Sequence, residues 1–293
     1  MDISQAIDHI WQAPDDDGGM FRQFVPALYS DNLVQMENDP GYLARLRGLG
    51  AKELTDAYEK GDWNIREDAI FGGILDENAH LIEPFAIPSE WKLDRGYDHG
   101  TSAPASCLWF AEANGEALQL PSGKIITPPA RSLFVVSELY FGTYDEKGLD
   151  LDPIEVAKRI KEHEEANLLR RAKPGPADSS IFEADPGYVS VADMMKVPYG
   201  VRWIKADKTA GSRKRGVTFA KQMFKNRTQS RSEPWLVISK ECIRLWAHLK
   251  NLPRDEEDPD DVSTLAVAHD WDVLRYRILR SKKQARQMEV EGT

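Results

Sequence analysis

The chain has 293 residues, 41% of them hydrophobic and 29% charged, with a formal net charge of −10. It is long enough to bury a sizeable core, has no apolar run of the roughly 18 residues that a membrane span requires, and begins with acids where a secretory leader carries Lys or Arg. Membrane-spanning and general nucleic-acid-coating roles are thereby excluded, and the expectation is a folded, soluble, cytoplasmic protein.

In chain order, residues 5–13 read as a short helix ended by Pro14 to Gly19, and residues 21–29 as a strand interrupted by Pro26. The spacing of Tyr42, Leu43 and Leu46, then of Leu54, Ala57 and Tyr58, predicts short helices over 40–49 and 51–60. Gly61-Asp-Trp63 reads as a turn with Trp63 as a core anchor, and Pro84 and Pro88 mark a connector. Leu93 to Asp98 predicts a strand that breaks at His99-Gly100. Ser106–Ala111 and Ser132–Tyr140 predict two more, which places Asp98 on the first strand of a three-strand meander. Taken alone, Asp98 is a turn former before His-Gly; the sharper alternative is a metal-ligand carboxylate on a rigid strand.

Residues 153–171 predict a solvent-facing helix on a stripe of Ile154, Val156, Ala157, Ile160, Leu168 and Leu169. Lys173-Pro-Gly-Pro-Ala177 reads as a break, which leaves Asp178 at a sharp turn beside Ile181 and Phe182. There follow a helix start over 190–195, a strand over 201–205, a helix over 216–226, a strand over 235–239 and a helix over 241–250. The acidic loop 254–261 reads as solvated, and a helical pattern from Val262 encloses His269, Asp270 and Asp272. Positions three apart share a helix face, so His269 and Asp272 point to one site and Asp270 elsewhere. The whole pattern predicts an α/β fold with a mixed central sheet flanked by helices. Cys107 and Cys242 lie far apart in apolar stretches, which predicts buried thiols.

Between Arg202 and Arg231 lie Lys205, Lys208, Arg213, Lys214, Arg215, Lys221, Lys225 and Arg227, against Asp207 as the only acid. In an acidic chain this asymmetry fits a phosphate-binding stripe that follows a DNA backbone. A solvated helix face is the plainer alternative. Asp98, Asp178 and the His269/Asp272 pair would suit phosphodiester cleavage, since hard divalent cations take oxygen ligands and two of them roughly 3.5 to 4 Å apart serve an in-line displacement. Spacing alone does not select these residues from 48 acids.

From about Phe21 to Arg280 the chain resembles the C-terminal part of tailed-phage terminase large subunits, whose nuclease domain has an RNase H-like, RuvC-type fold. The resemblance is carried by Phe24-Val-Pro-Ala27 with Asp31-Asn32, Gly61-Asp-Trp63, Arg95 to Gly100, Glu138-Leu-Tyr140, Gly175 to Ser180, and His269 to Tyr276. It implies that Asp98, Asp178 and Asp272 hold one or two Mg²⁺ or Mn²⁺ ions with His269 beside them, and that Glu138 and Asp270 are secondary acids. Ala268 stands where family members often carry an acid, a departure that leaves the site short of one charge unless Asp270 supplies it. The implied activity is cutting of concatemeric double-stranded viral DNA during packaging in the host cytoplasm, with a terminase small subunit and a portal as partners. Residues 1–88 resemble the end of the ATPase region and its connector, and residues 89–293 the nuclease domain. ATP hydrolysis is not expected: Thr209 to Gly216 is basic and contains glycine but lacks the order Gly-x-x-x-x-Gly-Lys-Ser/Thr. Two other readings stay open, a DNA-binding or docking module with a weak or inactive nuclease centre and a RuvC-like junction resolvase.

Overall fold

The computed structural model describes residues 10–12, 21–23, 32–42, 44–45, 69–143, 146–266 and 268–291. The chain divides into two compact units, Met1–Glu67 and Asp68–Thr293. In the first, Ile10–Gln12 (β1) pairs antiparallel with Phe21–Gln23 (β2), and Leu33–Asn38 is helical (α1). The helix expected over 5–13 is corrected at residues 10–12: a cross-strand partner decides the conformation of Ile10 and Trp11, both good strand formers. Most of the two helices expected over 40–60, and all of Gly61 to Trp63, lie outside the described residues.

Chain order in the second unit begins with a short helix, Glu77–His80 (α2), and the strands Leu81–Ile82 (β3), Lys92–Asp98 (β4) and Ala105–Glu112 (β5). A small hairpin, Leu118–Gln119 (β6) and Ile125–Ile126 (β7), precedes Leu133–Phe141 (β8). Then come Pro153–Ala166 (α3), Lys173–Ala177 (β9), Val191–Tyr199 (α4), Ile204–Lys205 (β10), Ser212–Thr228 (α5), Leu236–Ser239 (β11), Ile243–Asn251 (α6) and His269–Glu291 (α7). Seven strands form one mixed sheet in the order β10-β9-β4-β5-β8-β11-β3. β4, β5 and β8 make the antiparallel meander, and the remaining neighbours pair in parallel.

Every residue of β5 is buried, as the central strand of a sheet covered on both faces must be. One face packs Leu93, Tyr97, Trp109 and Phe134 against Val156 and Ile160 of α3 and Met195 of α4. The other packs Leu108, Phe110, Leu133 and Ile238 against Phe224 of α5, Leu245 of α6 and Leu274 and Ile278 of α7. Local signals set the helix starts: the Asp152 side chain accepts from Ile154 N and Glu155 N ahead of α3, and Ser190 from Asp193 N ahead of α4. Cys107 and Cys242 are both free and buried. Among the described residues no helix is long and apolar enough to cross a membrane.

Two sequence expectations need correction. Lys173–Ala177 is a strand and not a break, in spite of Pro174 and Pro176. Strand prolines are confined to edges and irregularities, and the register of β9 against β4 shifts between Arg95 and Tyr97. A Cβ on Gly175 would stand 2.0 Å from Arg95 O, so only glycine lets the two backbones approach there. The last helix starts at His269 and not near Val262, because Val262 is bridged to Arg254 and Ser263 N is bonded to Pro253 O at 3.0 Å. Ile70 and Phe71 lie in the second unit's core, and β3 pairs with β11.

Candidate active site

β4 and β9 run parallel, with Tyr97 opposite Ala177 and Asp178 N bonded to Tyr97 O at 3.0 Å. Asp98 and Asp178 therefore stand at the carboxyl ends of adjacent parallel strands, where open α/β sheets place their ligands. The first two turns of α7 lie against these strands. A Cβ on Gly96 would meet Val273 Cγ1 at 2.8 Å, so the absence of a side chain there sets how closely α7 approaches β4. Buried Arg277 fixes the same helix, donating from Nε to Asp94 Oδ1 at 2.7 Å and from Nη2 to Glu112 Oε2 at 2.9 Å.

Asp98 is 4% exposed and holds both α7 side chains that reach it. His269 Nδ1 lies 2.8 Å from Asp98 Oδ2, and Tyr276 OH donates to Asp98 Oδ1 at 3.1 Å. Burial pushes the Asp98 carboxyl up to about 6; the charges of Asp272 and Asp178 add to this, and the His269 hydrogen bond opposes it. Burial alone would lower the His269 imidazole, but the bond and charge of Asp98, with Asp272 and Asp270, raise it.

The other two acids, Asp178 and Asp272, each have a basic partner. Asp178 Oδ1 accepts from Lys208 Nζ at 2.7 Å and from Ser180 N at 2.9 Å. Burial works to raise this carboxyl, but those bonds outweigh it and hold Asp178 below its ordinary value. Asp272 Oδ1 accepts from Arg275 Nε at 3.0 Å and Nη2 at 2.7 Å. Tyr276 has its hydroxyl on Asp98, with Lys208 Nζ 5.7 Å and the Arg275 guanidinium 4.7 Å from its ring centre. Burial, then the charges of Asp98, Asp272 and Asp178, push the Tyr276 phenol up.

Sequence reasoning missed Tyr276, although it lies seven residues after His269 and so on the same helix face. Lys208, expected in the phosphate stripe, lies against Asp178; at a sequence separation of 30 that pair left no local signal. Glu138 and Asp270 lie together elsewhere. Glu138 Oε1 and Oε2 accept from Arg244 N and Leu245 N at 2.8 and 2.9 Å, closing the start of α6. Asp270 is 1% exposed, with Oδ2 2.6 Å from His248 Nδ1. Asp270→Ala is therefore expected to destabilise the protein by about 1–3 kcal/mol, the cost of leaving a partner unsatisfied, while affecting any cleavage less than Asp272→Ala does. Denaturation curves and cleavage rates of the two variants check this.

The remaining stripe is largely engaged within the chain. Lys205 lies 3.9 Å from Glu183, Arg213 3.4 Å from Asp261, and Lys214 pairs with Asp258. Arg215 donates to Ala210 O at 2.8 Å and to Thr209 Oγ1 at 2.9 Å. Arg227 donates to Ala79 O at 3.2 Å and stacks on Trp235, a structural use. Lys221 and Lys225 lie along α5 beyond them.

As potential cation ligands, Asp98, Asp178 and Asp272 are the oxygen donors that Mg²⁺ or Mn²⁺ takes. The charges of Asp272 and Asp178 both act on Asp98 and raise its carboxyl. In the present side-chain positions, however, no group of three or more His, Cys, Asp or Glu among the described residues could hold an ion. Lys208 and Arg275 occupy the carboxylate oxygens that a cation would need.

No protein-family model and no curated protein matches the sequence. Among solved structures, the large terminase of a thermophilic bacteriophage in complex with ADP aligns with a TM-score of 0.51 and 16% identity, over 86% of this chain and 53% of that one. The nuclease domain of the phage P22 large terminase aligns at 0.48 and 12%, over 72% of this chain and 92% of that one. A large terminase nuclease from another thermophilic phage, solved with bound cobalt, aligns at 0.44 and 8%, over 74% and 98%. The chain spans about half the length of the first of these, covering 53% of it. At such identities the likeness is one of fold: this chain, with its seven-stranded mixed sheet, shares the fold of a phage large terminase over most of its length.

Proposed function

We propose that this chain is a terminase-type, divalent-metal-dependent DNA endonuclease that cuts concatemeric viral DNA during packaging, with Asp98, Asp178 and Asp272 as metal ligands. The observation that supports the reading is that Asp98 and Asp178 end two adjacent parallel strands, while His269 and Tyr276 of the helix that carries Asp272 both reach Asp98. Mg²⁺ or Mn²⁺ bound there would activate a water and neutralise charge on the phosphate. Asp98 orients the site by accepting from His269 and Tyr276 at once. His269 holds a proton at Nδ1 against Asp98, and its other ring nitrogen is left to address a leaving oxygen. Lys208 and Arg275, exchanged from their carboxylates, are cations placed to meet substrate phosphate. A terminase small subunit and a portal are the partners proposed with this role.

A second reading, a docking module with an inactive centre, is favoured by one observation: Asp98, Asp178 and Asp272 each already have a basic partner within 3.0 Å. Supercoiled plasmid incubated with Mg²⁺ or Mn²⁺, against a chelator control, separates the two. Nicking that the chelator abolishes is the expected result. Metal-independent DNA binding without cleavage would establish the docking module, and strong preference for four-way junctions a RuvC-like resolvase. His269→Ala is expected to slow nicking by roughly 100-fold, the scale of a lost proton-transfer group. An unchanged rate would remove His269 from the mechanism.

A further inference from the structure

Lys214, Lys221 and Lys225 are spaced by seven and four residues, which places them on one face of α5. Arg213 stands at its start, and Arg254 joins the same patch from the neighbouring loop. Burial, with Arg254 and Lys225 nearby, holds the Lys221 ammonium below its ordinary range in spite of Asp260. Such crowding of cations is relieved by an anion. Part of that face is already covered from within the chain. Arg213 Nε lies 3.4 Å from Asp261 Oδ1 and its guanidinium also reaches Val262 O, while Lys214 pairs with Asp258 and feels Asp260 and Asp261.

The covering loop is built to hold its acids in place. Its neck is closed by the bridge between Arg254 and Val262 and by Ser263 N on Pro253 O. Within it Asp255 Oδ1 accepts from Glu257 N and Asp258 N at 3.1 and 3.2 Å, and Asp255 N donates to Asp261 O at 3.0 Å. We propose that loop 254–261 is an internal competitor of nucleic acid, lying on the basic face of α5 until a duplex backbone displaces it; this rests on the DNA-binding reading above. Exposed ion pairs hold weakly, and Lys214 and Asp258 remain 49% and 38% exposed in theirs. A phosphate backbone, presenting a continuous line of charge, displaces such pairs and binds less tightly for having to do so. An acidic chain with a sequence-independent basic face would by this device bind DNA only where a high local concentration drives the exchange.

The test neutralises the loop without reshaping it: Asp258→Asn, Asp260→Asn and Asp261→Asn together keep the side-chain acceptor oxygens. A control variant neutralises Glu155, Glu162 and Glu165 of α3, on the other side of the sheet, by Glu→Gln changes. Binding of a short fluorescent DNA duplex at low salt should tighten roughly tenfold in the loop variant, with a steeper salt dependence, because bound phosphate no longer trades against the loop. Lys214→Glu should also lose more affinity in the loop-neutralised chain than in the native one. Native and loop variant binding alike, or the control gaining as much as the loop variant, overturns the proposal while leaving the DNA reading intact. No binding by either chain overturns both.

Discussion

Asp98→Ala should reduce metal-dependent nicking on the order of 10³-fold or more, the scale of removing a preorganised group that meets transition-state charge. The substitution removes more than one candidate ligand. It takes away the acceptor shared by His269 and Tyr276, so the first two turns of α7 lose their common anchor at the end of β4. Asp98→Asn separates the two effects, since an amide oxygen still accepts from one of these donors while a metal-ligating charge is gone. Cleavage lost in both variants, with folding retained in the Asn form, is the expected result. Cleavage retained in Asp98→Asn would remove this carboxylate from the chemistry.

The same residue sets a pH dependence in chelator-treated protein. A carboxyl raised on folding, here to about 6, contributes its full stability below its unfolded value and loses it as pH rises through the folded one. The raised His269 imidazole works in the same direction over a higher window, from its unfolded value upward. Relative to Asp98→Asn, the native chain should therefore lose on the order of 2 kcal/mol between about pH 4 and pH 7. Urea unfolding at both pH values measures it. A native chain that gains on the variant as pH rises would contradict a desolvated Asp98 beside other acids.

Arg277→Ala should destabilise the protein by about 3–5 kcal/mol near neutral pH, the usual cost of stripping a buried ion cluster of one member. Arg277 is 1% exposed and serves two carboxylates, Asp94 on β4 and Glu112 on β5. Burial already raises the Asp94 carboxyl even with Arg277 present, whereas for Glu112 the charges of Arg277 and Lys92 outweigh burial and lower it. Without the guanidinium both carboxyls should move up, and their protonation would relieve the buried charge. The variant should regain part of its loss as pH falls toward 5. A loss below about 1 kcal/mol, or one independent of pH, would mean that water reaches the cluster.

Much of the frame was legible locally. The meander followed from three apolar runs, and α3 and α4 from the apolar stripe after Pro153 and the helix start at Ser190. The different directions of His269, toward Asp98, and Asp270, toward His248, followed from 3.6-residue periodicity. The burial of Cys107 and Cys242 followed from their apolar neighbours.

What the tertiary structure alone decided is which charge meets which. Asp178 to Lys208, Arg213 to Asp261 and Asp94 to Arg277 are separated by 30, 48 and 183 residues, and no periodicity encodes such distances. The stripe read from composition as a phosphate-binding face is divided between a candidate active site, an acidic loop and structural contacts. Lys173–Ala177 reads as a break by propensity, yet it pairs between β4 and β10 because a register shift and Gly175 accommodate what two prolines cannot donate. Propensity acts through a residue's neighbours in sequence, whereas ion pairing and strand pairing act through neighbours in space, and the fold alone supplies those.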